Sequence, residues 1–181
     1  MSFRYEIRLS GSGGQGLILA GKILAEAAAI YDNKNATQSQ SYGPEARGGS
    51  SRSEVIISDE EIDYPKAVNI DLLLCFTQEA CDKYCTDIKE KGILLVDSDY
   101  VTHVPEGTFT VYNVPITSLA EKRAGKSLVA NIVALGIITE LTGIVSRQAV
   151  ESAVLSRVPK GTEELNTTAF NLGIDLAREL K

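Results

Sequence analysis

The chain has 181 residues, a length that fits one domain with a substantial buried core and leaves little room for two. Eighteen Lys and Arg stand against 24 Asp and Glu, for a net charge of −6, and the basic residues form no stripe. Nucleic acid is therefore a disfavoured partner, since neutralising phosphates needs clustered cations, whereas a small anionic ligand remains open to backbone amides and single arginines.

The opening segment, MSFRYEIRLSGSGG, runs straight into alternating apolar and polar residues and lacks the apolar core and cleavage site of a signal peptide, so a cytoplasmic location is expected. Phe3 to Leu9 has the period-two signature of a strand. A glycine-rich turn follows, and from Leu17 to Tyr31 apolar residues recur at helical spacing in an alanine-rich context. Asn33 to Arg52 is rich in Gln, Ser, Asn, Gly and Pro and reads as a functional loop. Glu54 to Ser58 and Ile70 to Phe76 read as strands, the second nearly all apolar, as in a parallel strand buried on both faces. Gln78 to Lys91 then reads as a helix stopped by Gly92. Ile93 to Val96, closed by Asp97, and Phe109 to Val114 supply two more strands.

The last third reads as helical, over Ile116 to Arg123, Leu128 to Leu141, Arg147 to Arg157 and Glu163 to Leu180, with Thr162 placed as a helix start. Leu128 to Val145 is the longest apolar stretch, but Asn131, Thr139, Glu140 and Thr142 interrupt it, so no membrane insertion is expected. This alternation predicts an α/β chain with a doubly wound, mainly parallel, Rossmann-like sheet and a helical C-terminal third, forming a single domain over residues 1–181.

Two segments carry candidate chemistry. Gly11, Ser12, Gly13, Gly14, Gln15 and Gly16 match G-x-G-x-x-G between a strand and a helix, which permits close backbone approach and presents helix-start amides to a phosphate or carboxylate. A dinucleotide site also needs an acid closing the second strand, and Asp32 comes too early to serve. The glycines could equally do no more than pack helix on sheet. The second segment, Gln40 to Gly49, contains Tyr42, Gly43, Glu45, Arg47, Gly48 and Gly49. Arg47 can fork onto an anion and Tyr42 can stack on a ring, and loops beyond the carboxyl ends of neighbouring strands would share one crevice. A purely structural role for Glu45 and Arg47, or contact with a partner chain, fits as well.

Other chemistry is missing. His103, the sole histidine, has no partner nucleophile or acid in sequence, and no H-E-x-x-H, G-x-S-x-G or Walker A motif occurs. Cys75, Cys81 and Cys85 contain no C-x-x-C spacing and read as buried thiols, although Cys81 and Cys85 share a helical face that leaves a metal-site alternative.

GSGGQGLILAGKILAEAA, SQSYGPEARGGSSRSEVIIS and the Asn131-centred VANIVALG resemble the gamma chain of 2-oxoacid:ferredoxin oxidoreductases over nearly the whole length. YGPEARGG is more similar to 2-oxoglutarate enzymes than to pyruvate-type gamma chains. The resemblance implies a hetero-oligomer with alpha, beta and ferredoxin-like delta subunits and with ferredoxin or another acceptor. It places thiamine diphosphate, Mg²⁺ and iron-sulfur clusters in the partner subunits. Thiamine diphosphate then removes CO₂ from the oxoacid, the clusters carry electrons away and coenzyme A accepts the acyl group. This chain would be non-catalytic alone, with coenzyme A a candidate ligand of Gly11 to Gly16 and Tyr42 to Gly49. The competing readings are the beta subunit of an indolepyruvate ferredoxin oxidoreductase and a stand-alone nucleotide-binding module.

Overall fold

A computed structural model describes residues 2–43 and 49–181. Six strands form one sheet in the order β2-β3-β1-β4-β5-β6, comprising β1 (Arg4–Ser12), β2 (Asn35–Tyr42), β3 (Ser50–Ser58), β4 (Ile70–Cys75), β5 (Ile88–Asp97) and β6 (Thr110–Val114). β1, β4, β5 and β6 pair in parallel. β3 is antiparallel to both β1 and β2, so it alone runs against the sheet. The expected mainly parallel α/β architecture is what the chain adopts.

The helices are α1 (Leu17–Glu26), α2 (Gln78–Tyr84), α3 (Ile116–Leu119), α4 (Ala130–Thr142), α5 (Arg147–Arg157) and α6 (Glu163–Leu180). Wider π turns extend α1 through Tyr31 and α3 through Ala124. Alternation along β1 divides its side chains between the sheet's two faces. Ile7 and Leu9 join Leu72, Leu74 and Leu95 beneath α1, α4, α5 and α6 in the larger core. The other face carries α2 and a smaller core containing Leu73, Cys75, Cys81, Leu94 and Val96.

Glu6 and Arg8 lie on that second face and are buried and fully engaged. Arg8 bonds Glu54 at 2.9 Å and Asp87, and lies 4.9 Å from the centroid of the Tyr84 ring. The Glu6 carboxylate accepts from the Val68 and Asn69 amides at 2.6 and 2.8 Å, pinning the β3–β4 connection.

α4 and α6 cross in backbone contact. A Cβ on Gly136 would stand 2.2 Å from the Phe170 carbonyl oxygen, and one on Gly173 would stand 2.0 Å from that of Val133. The small residues of α4 thus serve packing within the fold, a choice that sequence alone leaves open.

Two expectations are corrected. Asn33 to Arg52 is not a continuous loop, because Asn35–Tyr42 forms β2 and β3 begins at Ser50, the two pairing from Asn35↔Ser58 to Tyr42↔Ser51. Composition misleads here because β2 is an edge strand with largely exposed residues, where hydrogen bonding to β3 supplies the order that apolar burial supplies elsewhere. Likewise, the helix starting at Gln78 ends at Tyr84, followed by a 3₁₀ turn over Cys85–Asp87, and Ile88 to Lys91 belong to β5. Pairing of Ile88 with Ile70 overrides the helix preference of the Lys-Glu-Lys run, and a bulge with Lys91 at φ 62° restores register at Ile93.

Among the described residues, no helix is long and apolar enough to cross a membrane.

Candidate functional site

The glycine turn leaves the carboxyl end of β1 and starts α1. Gly14 and Gly16 hold φ angles of 87° and 74°, in the left-handed region that favours glycine. Gly11 is required for a different reason, since a Cβ there would lie 2.2 Å from Gln15 Oε1 and 3.0 Å from Phe76. The Gln15 side chain closes the turn internally, accepting from the Ser12 amide at 2.8 Å and donating to the Phe76 carbonyl at 3.4 Å.

The turn also meets the β2–β3 hairpin. The Gly13 amide donates to the Gly49 carbonyl oxygen at 2.7 Å, while the Gly43 amide donates to Ser50 O at 2.7 Å and closes the hairpin beside Tyr42. The two candidate segments therefore come together at their described ends. Tyr42 is 66% exposed at the end of β2, and Gln40 Nε2 donates to its hydroxyl at 3.3 Å. Glu45, Arg47 and Gly48 lie outside the described residues.

Among the described residues the Gly14, Gln15 and Gly16 amides have no acceptor, and α1 has no side-chain cap. Free amides and the positive end of a helix are the features that favour an anion at such a turn. A crevice of about 230 Å³ opens beside it, lined by Gly14, Gln15, Phe76, Tyr100, Thr117 and the start of α4. It lies beyond the carboxyl ends of the parallel strands, where open α/β sheets take ligands.

Asn131 and Asp97 brace the segments around the crevice from behind its lining. Asn131 Nδ2 donates to the Gly16 carbonyl at 3.0 Å, tying the start of α4 to the start of α1. Asp97, fully buried at the end of β5, accepts from the Ile116 and Thr117 amides at 3.0 and 3.2 Å and from the Thr117 hydroxyl at 2.5 Å. Burial pushes its carboxyl above the ordinary range, against the lowering effect of these donors. The N-terminus of α3 is thereby already supplied with a carboxylate, whereas that of α1 has no side-chain cap.

Sequence reasoning missed Phe76, Tyr100, Thr117, Ser127 and Leu128 as lining residues. Each follows a strand or opens a helix, but a single sequence does not say which connections converge. A signal did exist for Asn131, a buried amide in an otherwise apolar helix, and for Asp97, an acid closing a buried strand.

Elsewhere the side chains are structural. Asp32 accepts from the Ser146 amide and hydroxyl, both at 2.6 Å, and joins the end of α1 to the start of α5. His103 is exposed, and Gln78 holds its backbone through both N–H and C=O. Cys75, Cys81 and Cys85 are buried under α2, where burial pushes the Cys75 thiol well up. No group of three or more His, Cys, Asp or Glu among the described residues could hold a metal, so these donors do not fit an iron-sulfur cluster.

A mainly parallel α/β sheet whose glycine-rich first turn opens a helix beside a crevice defines a Rossmann-like α/β chain. The chain belongs to the pyruvate ferredoxin/flavodoxin oxidoreductase family, whose model matches residues 6–176. It is 57% identical over 182 residues to the 2-oxoglutarate synthase subunit KorC of Methanocaldococcus jannaschii, covering 99% of this chain and 97% of the relative. The keto/oxoacid ferredoxin oxidoreductase gamma subunit of Geobacter sulfurreducens superposes with a TM-score of 0.87 at 58% identity, covering 97% and 99% of the two chains. The 2-oxoglutarate:ferredoxin oxidoreductase of Magnetococcus marinus, described with 2-oxoglutarate, coenzyme A and succinyl-CoA bound, shares the fold at 23% identity and a TM-score of 0.86. There, 98% of this chain matches 32% of the longer one.

Proposed function

We propose that this chain is the gamma subunit of a 2-oxoglutarate:ferredoxin oxidoreductase and that it receives coenzyme A at the glycine turn. The net reaction converts 2-oxoglutarate, coenzyme A and two oxidised ferredoxins into succinyl-CoA, CO₂, two reduced ferredoxins and a proton. Thiamine diphosphate, when bound in the companion chains, supplies the electron sink for decarboxylation. This chain's own part is to bind and orient. The amides of Gly14 to Gly16 and the positive end of α1 hold a phosphate of the incoming thiol substrate, with Arg47, from the sequence between β2 and β3, as a second anion contact. The supporting companions are alpha, beta and ferredoxin-like delta chains, with ferredoxin as acceptor, in the cytoplasm.

The observation that supports this reading is the Gly13–Gly49 hydrogen bond, which joins the glycine turn to the residue just before β3. The 57% identity to a 2-oxoglutarate synthase subunit favours that substrate over an aryl pyruvate. Reconstitution of the complex with Arg47→Ala tests it. The coenzyme A concentration for half-saturation should rise about tenfold, the equivalent of about 1.4 kcal/mol, with the 2-oxoglutarate dependence unchanged. Unaltered coenzyme A kinetics would reject the role.

A further inference from the structure

β2 is an open edge of the sheet without the usual protections. Its eight residues, Asn35–Tyr42, include no charged side chain and no proline, and its register with β3 runs without a bulge. Edge strands are normally blunted by one of these devices or kept short, because their unpaired N–H and C=O groups template another strand. The opposite edge, β6, has five residues and is followed by Pro115.

The register shows which groups of β2 are unpaired. The Gly43 amide donates to Ser50 O in continuation of the β2–β3 pairing, and bonded residues alternate along an antiparallel ladder. Asn35, Thr37, Ser39 and Ser41 therefore bond to β3, whereas Ala36, Gln38, Gln40 and Tyr42 turn their N–H and C=O outward. Among the described residues nothing bonds these outward groups. The side chains of the same residues share the face that carries α1, where Gln38 Nε2 donates to Gln40 Oε1 at 3.4 Å and Gln40 Nε2 to the Tyr42 hydroxyl at 3.3 Å.

Two apolar features on that face stand at opposite ends of β2. At the Ala36 end a groove of about 650 Å³ opens against α1 and its π turn, lined by Ala25, Ala29, Ile30 and Ala36, with Ile30 71% exposed. At the other end is the exposed ring of Tyr42. Along an extended strand these ends lie about 20 Å apart, so within one chain the ring does not fill the groove.

We propose that β2 is the seam of a two-fold dimer, in which a second copy of this chain adds its own β2 antiparallel and doubles the sheet. Placing Gln38 opposite Gln40 of the second copy puts Ser39 on the two-fold axis and Ala36 opposite Tyr42. Each outward N–H and C=O then finds a partner. Each Tyr42 ring comes to lie over the small Ala36 of the other copy, at the mouth of the groove beside Ile30, and symmetry makes this contact twice. Any extended segment could satisfy the backbone, but a second copy also delivers an aromatic ring to each groove in that register. The seam carries no charged side chain, so two chains of net charge −6 meet there without like charges opposed.

Sedimentation equilibrium of the full chain tests the seam. Wild type should dimerise reversibly with a dissociation constant on the order of 10 μM, as befits an interface at the small end of the range. Ser39→Lys, at an exposed position, sets like charges against each other across the axis and should weaken the dimer at least about tenfold, with the fold intact by circular dichroism. Ser39→Cys should give a disulfide-linked dimer under oxidised glutathione, since residues facing each other at a non-bonded position have Cα atoms about 4.5 Å apart. Ser41→Cys, two residues along the same face, should not. A chain that stays monomeric at about 200 μM, or a dimer indifferent to Ser39→Lys, overturns the proposal. So does a monomer whose assembly with companion chains is abolished by Ser39→Lys, a result that assigns the edge to a companion's strand.

Discussion

Asn131 Nδ2 lies 3.0 Å from the carbonyl oxygen of Gly16 and 2.4 Å from the place where a Cβ on Gly16 would stand. One amide therefore both fixes the turn and forbids a side chain there. Gly14, two residues earlier, has the same backbone hand with nothing within 4 Å of its Cβ position. Gly14→Ala should lose about 1 kcal/mol, the left-handed backbone penalty alone. Gly16→Ala should lose about 2–4 kcal/mol, because overpacking adds to that penalty. Urea unfolding of both variants measures the difference, and equal losses would refute the clamp.

Gly136→Ala ought to stabilise an isolated helix by about 1 kcal/mol. In this fold it should destabilise by about 1–3 kcal/mol net, since its methyl group meets the α6 backbone at Phe170 and Gly173. A thermal melt showing Gly136→Ala at or above wild type would contradict backbone contact between α4 and α6.

Arg8 is bonded to Glu54 and Asp87 on the smaller-core face of the sheet. Arg8→Ala should cost about 2 kcal/mol, by removing the nearer of the two cations on the nearly buried Glu54 carboxylate and leaving only Arg52 at 3.3 Å. Removing Glu54 as well, in Arg8→Met with Glu54→Leu, should recover much of the loss. A double-mutant cycle with no coupling between the two sites would count against the pair.

Asp97 supplies a pH signature. Its folded-state pKa is raised by burial, so its contribution is fully present below the unfolded value of about 3.9 and is lost as pH rises through the folded value. Asp97→Asn cannot ionise and lacks that decline. The stability advantage of wild type over Asp97→Asn should therefore shrink as pH rises above about 4 in denaturant titrations. A constant or widening gap would show that the donors around Asp97 outweigh its desolvation.

The sequence announces the parallel strands β1, β4 and β5 and the helices α4, α5 and α6, because each buries a face whose periodicity one chain displays by itself. It conceals β2, whose Gln and Ser residues are ordered by hydrogen bonds to β3 at a largely exposed edge. It also hides the start of β5, where Ile88 needs Ile70 to become a strand. The same division holds at the site. Gly11 to Gly16 is legible because backbone demands select glycine locally, and its closeness to Gly49 is anticipated from the rule for open sheets. The framing by Phe76, Tyr100 and Leu128 depends on which connections meet at the sheet's end, a property of topology.

The hydrogen bond from Gly13 to Gly49 makes the start of β3 and the first βα turn one mechanical part. A displacement of Gly49 is therefore felt, without any lever, at the glycine turn that opens α1. Transplanting either segment alone from a distant relative would carry a mismatch into the other, so the pair is best inherited, or engineered, as a unit.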